Sequence, residues 1–427
     1  MIRAISMTEL QDWIQHGAEM RRPLLANPRL RDQQKIIIIG GGLSGLCTAY
    51  RLGQKYPDKN LVLVERSNRL GGVIQSWKKD EWVCDLAVNA SRPHPAMWRL
   101  IDDLGLAELW KPSTDKVNSR WVWLNNSKHK ISPLSLFKIG PLKLRKAIKN
   151  SLIGGKSVSQ LIPHKKISDA LTLGIVNDTS DNVDADFLFP SLTKFGPSQP
   201  ISNRKLAKIV APTYPIFQPK SRSIASLKGG MEVLIDSLKE RLEAMSNIEI
   251  LLEQNIESPQ SASEKFGTPL SSIIWTAPGL LEDYEQTSLS IFAVGFKQQH
   301  VQHIPLGYGL LIPDKSIPIS GILHESDIHH SQRAPDGHRL FRLMVPHDRW
   351  DQDNLTVKKS LLEFFGNNDP VLFENIGNRI IPSFKPGHMD KISKLSYDFT
   401  YLGWSVSGVA ITHVVDETER LLELLES

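Results

Sequence analysis

Lys35–Ile39 is a short β-branched run that Gly40, Gly41 and Gly42 stop abruptly. Leu43–Leu52 then carries apolar residues at helical spacing, with small residues Ser44, Gly45 and Ala49 among them, and Leu61–Val64 is a second apolar run ending at Glu65. The pattern predicts a strand–helix–strand unit of about 30 residues, the βαβ that starts a doubly wound parallel sheet. Further on, Ser223–Leu242 predicts a turn feeding a helix, with Gly229-Gly230 at its start. Ile248–Leu252 and Ser272–Thr276 predict strands. Strand-like runs recur at Ile291–Phe296, Gly307–Ile312, Gly321–Leu323 and Leu340–Val345, and Val414–Leu425 predicts a C-terminal helix. Between about Ser91 and Pro219 the pattern changes. Ser132–Lys156 mixes leucines with lysines and arginines, and Pro190–Pro219 is rich in proline, which predicts loops and short helices.

Composition narrows this little. The 427 residues are 41% hydrophobic and 23% charged, ordinary for a globular protein large enough for two or three subdomains. The net charge of +5 suits an anionic surface or an acidic substrate and falls short of a nucleic-acid footprint. Cys47 and Cys84 form no CxxC pair, so they predict buried thiols rather than zinc or a disulfide framework. No apolar run approaches the roughly 18 residues of a membrane span. Residues 1–34 mix acids with arginines, unlike a transit peptide, and predict a short amphipathic helix over Thr8–Met20 followed by a tether. His300, His329 and His330 read as solvated loop residues without metal-ligand spacing, so no metal site is expected.

The chemistry lies at the first turn. Gly40-Gly41-Gly42-Leu43-Ser44-Gly45 is GxGxxG placed after a strand and opening a helix. Gly40 makes the tight turn, Gly42 admits the backbone to a pyrophosphate, and Gly45 lets helix and strand pack closely. The helix N-terminus offers free N–H groups to phosphate. Glu65, 20 residues past Gly45, ends the second strand, where a carboxylate accepts ribose hydroxyls. Arg66-Ser67-Asn68-Arg69-Leu70-Gly71-Gly72 follows directly. An arginine and a glycine pair here point to FAD held in extended form, with Arg66 in the segment, Arg69 reaching phosphate and ribose, and Gly71 and Gly72 letting the backbone pass close. No Cys or His tether is evident, so the cofactor is expected to be noncovalent.

From Lys35 onward the chain resembles the protoporphyrinogen oxidase branch of the flavin amine oxidase superfamily. The resemblance rests on Ser119-Arg120-Trp121-Val122-Trp123, on Ser226-Leu227-Lys228-Gly229-Gly230-Met231, and on Trp275-Thr276-Ala277-Pro278. It continues through Gly307–Pro313, Gly321-Ile322-Leu323, Arg333-Ala334-Pro335, Ile381-Pro382 with Gly387-His388, and Ser407-Gly408-Val409-Ala410. It implies an FAD oxidoreductase that takes protoporphyrinogen IX to protoporphyrin IX by six-electron oxidation, in heme or chlorophyll biosynthesis. Hydride equivalents pass to the flavin, and molecular oxygen reoxidises it. Arg120 matches the arginine that pairs a substrate propionate, and Leu311, Leu323 and Met344 fall where the macrocycle pocket is lined. Ile256, Thr276, Gly403, Gly408, Val409 and Ala410 match positions around the cofactor.

The implied fold class is α/β: a Rossmann-like FAD-binding domain, a mixed-sheet substrate domain and a helical subdomain. The implied division is an extension over 1–34, an FAD domain over 35–90, 220–285 and 385–427, a helical, membrane-facing region over 91–219, and a substrate sheet over 286–384. Ser132–Ile153 would rest on a membrane periphery, lysines on headgroups and leucines in the interface. A cytoplasmic or organellar setting and a homodimer fit the same family. Some residues depart from its pattern: Leu86-Ala87-Val88-Asn89 replaces a glycine–proline step, Leu402 and Trp404 change the C-terminal turn, and Thr412 and His413 change its end. These leave open a related amine oxidase or desaturase with another substrate, or a non-catalytic paralogue that binds FAD or tetrapyrrole.

Overall fold

Ile36, Ile37, Ile38 and Ile39 are all buried, because their strand is the middle of a parallel sheet covered on both faces. Ile36 and Ile38 point with Leu61 and Leu63 into a core shared with the helix Leu43–Lys55. Ile37 and Ile39 point with Val62 and Val64 into a second core on the other side. The computed structural model describes residues 22–92, 94–131, 140–195, 224–281 and 284–426. The five strands of this sheet run in the order Thr400–Tyr401, Ile273–Trp275, Lys35–Ile39, Asn60–Val64, Ile248–Leu251, all parallel. Helices Leu43–Lys55, Glu232–Glu243 and Ile411–Glu426 cover one face through Leu46, Leu234, Leu238, Val415 and Leu421.

A second sheet of seven strands is mixed. Its order is Leu372–Phe384, Tyr284–Lys297, His338–Pro346, Gly321–Leu323, Gly309–Leu311, Arg120–Leu124, Ser127–Lys130. One face is apolar throughout: Trp123, Phe292, Leu310, Ile322 and Leu343 pack against Val357, Leu361, Phe364 and Phe365 of the helix Asn354–Phe365. The other face packs Leu289, Ile291 and Ile381 against Val158, Leu161, Val176 and Leu188. The strand Leu372–Phe384 is absent from the sequence reading, since Glu374, Asn375, Asn378 and Arg379 break its apolar alternation. It is an edge strand, which tolerates Pro382, and its register shifts opposite Ile291/Phe292.

Residues 22–34 are packed, in contrast to the tether expected from sequence. Leu25 bridges Tyr401 at the edge of the parallel sheet, Leu30 is fully buried, and Arg22 donates to the Ser407 carbonyl and lies 3.6 Å from Asp416. The expected helix over Thr8–Met20 lies outside the described residues, as does most of Pro190–Pro219. Both cysteines are buried.

The two sheets are tied by a buried polar network. Asp85, at the end of the hairpin Ser76–Lys79/Trp82–Asp85, accepts from Ser76 Oγ at 2.6 Å and from the Met231 N–H at 2.8 Å, and pairs with Arg333 at 3.0 Å. Arg342 pairs with Glu325 at 3.0 Å and donates to the Asp85 carbonyl. Burial pushes Glu325 up, yet Arg342, His329 and Arg333 outweigh it and hold its carboxyl at about 2. His329 is therefore not a solvated loop residue: it is buried, 3.0 Å from Glu325 and 2.8 Å from Ser226 Oγ. One turn of helix sets Glu325 and His329 four residues apart on the same side, a spacing the sequence reading passed over. Asp85, Glu325 and His329 could crowd a metal, but Arg333 and Arg342 already neutralise both acids. Replacing Asp85 by Asn leaves Arg333 buried without its partner, and should destabilise the fold by about 3–5 kcal/mol in chemical denaturation.

Candidate functional site

The turn after the first strand is shaped by contacts that exclude side chains. Gly40 has φ +110°, and a Cβ there would lie 2.7 Å from Thr276 Oγ1. A Cβ on Gly45 would stand 1.9 Å from the Gly40 carbonyl oxygen, so the helix crosses the turn at backbone contact. Thr276 closes the far side, its hydroxyl donating to the carbonyls of Ile39 at 2.9 Å and Gly40 at 3.0 Å. Gly42 caps the helix Leu43–Lys55 without a side-chain hydrogen bond, and open space lies where its Cβ would be. Leu43 is buried against the core, and Ser44 Oγ is buried with no hydrogen-bond partner. An uncapped helix N-terminus, room at Gly42 and an orphaned hydroxyl are what a pyrophosphate would satisfy.

The acid and the second glycine pair converge on the same turn. Glu65 accepts the Gly41 N–H at 2.7 Å through one oxygen, and the Ser67 N–H and hydroxyl at 2.9 and 2.8 Å through the other. Gly71 has φ +104°, bridges Gly42, and donates its N–H to the Gly41 carbonyl at 2.7 Å. A Cβ on Gly72 would come within 3.2 Å of Gly42 Cα. Arg69 is half-buried and holds the carbonyls of Leu70 and Gly72 at 3.1 and 2.6 Å. Arg66 is exposed and stands outside this cluster. Ile256 packs on the second core beyond Glu65.

The C-terminal turn comes alongside. Gly403, φ +115°, brings its ideal Cβ position to 3.3 Å from the Thr276 carbonyl and 3.8 Å from Ser44 Oγ. Its N–H donates to Glu417 at 2.6 Å. Gly408, φ +105°, sits against His413 and the Phe187 carbonyl, and Val409 and Ala410 are half-buried beside it. His388 Nε2 donates to the Ser405 carbonyl at 2.8 Å, and burial pulls its ring down to about 4, so it is a neutral clamp on this turn. Burial pushes Glu417 up to about 8 and Asp416 up to about 7, Arg22 opposing both. These acids carry no signal in the sequence, since an Asp-Glu pair in a helix ordinarily faces solvent.

The expected substrate residues lie on the other sheet, and its register places them on one face. Arg120 pairs with Gly309, Gly309 with Leu323, and Leu323 with Arg342. Leu311 pairs with Gly321, and Gly321 with Met344. Partners directly opposite share a face, so Arg120, Leu311, Leu323, Arg342 and Met344 lie on one face of the mixed sheet, which residues of the 158–188 region cover in part. Arg120 is half-exposed and stacks on Tyr308, its guanidinium carbon 4.1 Å from the ring centroid. Arg92 stands near enough to Arg120 for the like charge, after burial, to lower its own ionisation. Leu323 is buried with Val117 and Ile328, and Leu311 meets Gly174 of the helix Lys165–Val176, so both are packed against protein. Met344 is half-buried. Arg92 and Asn89, whose Nδ2 is buried without a partner, were missed because single polar residues in a loop carry no pattern.

Known proteins share this fold. Residues 38–104 match the family described as NAD(P)-binding Rossmann-like domain. The chain is 23% identical to coproporphyrinogen III oxidase of Bacillus subtilis, covering 90% of this chain and 96% of that protein. It is 23% identical to the mitochondrial protoporphyrinogen oxidase of Nicotiana tabacum, covering 73% and 75%. In fold it matches a protein of Exiguobacterium sp. 255-15, provisionally named a protoporphyrinogen oxidase, with a TM-score of 0.64 at 18% identity over 92% of this chain and 99% of that one.

Two outcomes follow. Gly45→Ala should cost at least about tenfold in flavin affinity, about 1.4 kcal/mol, read from the yellow absorbance retained on gel filtration. Glu417 is protonated in the fold, so its contribution is complete below the ordinary carboxylate range and is lost as pH rises toward 8. The melting temperature of Glu417→Gln should therefore gain on that of the parent chain between pH 5 and 9, and a constant difference would refute the buried acid.

Proposed function

We propose that this chain, a member of the protoporphyrinogen oxidase family of flavin-dependent oxidoreductases, binds FAD at the Gly40–Gly45 turn and oxidises a porphyrinogen to a porphyrin. The substrate read from sequence is protoporphyrinogen IX, with molecular oxygen as acceptor. The carrying observation is the common face of Arg120, Leu311, Leu323 and Met344 on the mixed sheet. FAD, when bound, supplies the hydride acceptor, and the rest of the chemistry is orientation and electrostatics. Ser44, Gly42 and the free helix N-terminus would hold the pyrophosphate, and Glu65 the ribose. Arg120, kept in place by Tyr308, offers a planar fork to a propionate, and Arg92 adds charge beside it. No base is needed at a stated atom, and His388, neutral and already donating to a carbonyl, is held out of proton transfer.

A second reading keeps the flavin and changes the substrate to another amine, indole or polyene. Its support is the packing of Leu311 and Leu323 against protein, which leaves less apolar wall than a macrocycle would use. Anaerobic mixing with protoporphyrinogen IX separates the two. Flavin bleaching with growth of porphyrin fluorescence is expected, and a spectrum that never bleaches would move the function to the second reading. Arg120→Ala should raise KM for the porphyrinogen about 10- to 100-fold, the loss of one charge-assisted pair. An unchanged KM would remove Arg120 from the substrate.

The same reading includes contact with a membrane surface. Among the described residues no helix is long and apolar enough to cross one. The helix Pro141–Ile153 buries little besides Ala147, and leaves Leu142, Leu144, Ile148, Leu152 and Ile153 between 50% and 82% exposed. Leu144, Ile148 and Leu152 form one stripe at i, i+4 and i+8, with Arg145 and Lys149 beside it. Residues 132–139 lie outside the described chain. Flotation with anionic liposomes should carry the parent protein upward and leave Ile148→Asp/Leu152→Asp in the soluble fraction; equal flotation of both would refute this surface.

A further inference from the structure

Arg22 is a cation almost without access to water, 2% exposed, in a segment that precedes the nucleotide fold. Its guanidinium donates through Nη1 to the Ser407 carbonyl and lies through Nη2 3.6 Å from Asp416. The backbone around it is tied to the same region. Arg420 donates to the Arg22 carbonyl at 2.7 Å, the Tyr401 N–H to the Leu25 carbonyl at 2.8 Å, and the Asn27 N–H to Thr400 Oγ1 at 3.1 Å. Residues 22–27 thus form a strap along Thr400–Ser407, the stretch that leads into Gly408. Burial outweighs Asp416 and pulls the guanidinium down to about 10. Apolar residues in place of a buried ion pair are often as stable or more so, and stability alone is a poor account of this arginine.

The turn it holds is the one that would receive a flavin. The ideal Cβ position of Gly403 lies 3.8 Å from Ser44 Oγ, which puts this turn beside the Gly40–Gly45 phosphate site. In an extended dinucleotide the flavin follows the pyrophosphate, and Gly408, Val409 and Ala410 come next along the chain. The field there is positive. His413 Nδ1 lies 2.9 Å from the ideal Cβ position of Gly408, and burial first, then Arg22, His94 and Arg92, pull that imidazole well below its usual range. The neighbouring acids do not fully cancel the charge, since burial pushes Asp416 up to about 7 and Glu417 up to about 8. A flavin that accepts a hydride gains negative charge on its pyrimidine ring at neutral pH. A cation fixed behind this turn therefore favours the reduced form over the oxidised one.

We propose that Arg22 is a positioning residue for the flavin: through the Ser407 carbonyl it holds the turn that receives the ring, and its charge raises the reduction potential of the bound cofactor. The inference rests on the FAD reading of the site. By linkage, a strap that holds the turn for FAD is held by FAD in return.

The test compares the full parent chain with Arg22→Gln and Arg22→Lys, by titration with oxidised FAD and by reduction against a dye of known potential. Arg22→Gln should weaken oxidised FAD about tenfold and reduced FAD about 100-fold. The tenfold difference between the two is a fall of about 30 mV in the two-electron potential. Arg22→Lys keeps the charge and loses the fork, so it should recover most of the potential and only part of the affinity. Hydrogen exchange on the parent needs no variant: FAD should slow the amides of residues 24–30 at least about tenfold and leave the distant strand Ser127–Lys130 unchanged. An Arg22→Gln chain that melts lower without FAD, yet binds FAD with parental affinity and potential, would make the arginine structural only and overturn the proposal. Exchange in residues 24–30 that FAD leaves unchanged would overturn it too, and decides the matter if Arg22→Gln does not fold. A parent chain that takes up no FAD overturns the FAD reading and the proposal together, whereas a flavin-loaded parent with an unaffected Arg22→Gln overturns the proposal alone.

Discussion

The arrangement of the two sheets depends on one buried carboxylate. Asp85 leaves the hairpin next to the nucleotide-binding layer and takes a hydroxyl from Ser76, a backbone N–H from Met231 and a guanidinium from Arg333, in the loop before the strand His338–Pro346. A charge this far from water is tolerable only when it is paired, and the groups that meet it come from separate parts of the chain. The same node reaches Arg342, Glu325, His329 and Ser226. Its directional bonds therefore fix how the hairpin, the helix Glu232–Glu243 and the strand His338–Pro346 stand relative to one another, which apolar packing alone would leave less specific.

That fixed relation is what gives the functional face its meaning. The glycine turn, Thr276 and Gly403 belong to the parallel sheet, while Arg120, Leu311, Leu323, Met344 and Arg379 belong to the mixed one. The segment Leu86–Asn89 runs from Asp85 between them, so the same residue that anchors the sheets also sets the loop whose carbonyl Arg342 and Arg379 approach. The glycine turn and the face of Arg120 thus share a support, and a change at the network would disturb both.

The C-terminal turn shows a different solution to the same problem. Glu417 is buried and favours its neutral form, held by the Gly403 N–H, while Arg22 crosses from the N-terminal segment to Asp416 and the Ser407 carbonyl. Residues 22–34 are consequently part of the nucleotide-binding layer in this protein. Their arginine supplies positive charge where two acids lie side by side in the helix Ile411–Glu426.

The sequence by itself determined the nucleotide turn, because that signal is local: a β-branched strand, three glycines, a helix and an acid at a fixed interval need no distant contact to be read. It also determined most strands of the mixed sheet, whose apolar runs follow from burial on at least one face. It could not show the edge strand Leu372–Phe384, where solvent on one side allows polar residues to interrupt the pattern. Nor could it show that His329 is a buried partner of Glu325, or that Arg22 belongs with Asp416, 394 residues away along the chain. Only tertiary structure decided which arginines are neutralised by a buried acid. An arginine looks the same in sequence whether it is paired or not, and its partner is set by strand register and by the packing of one sheet on another.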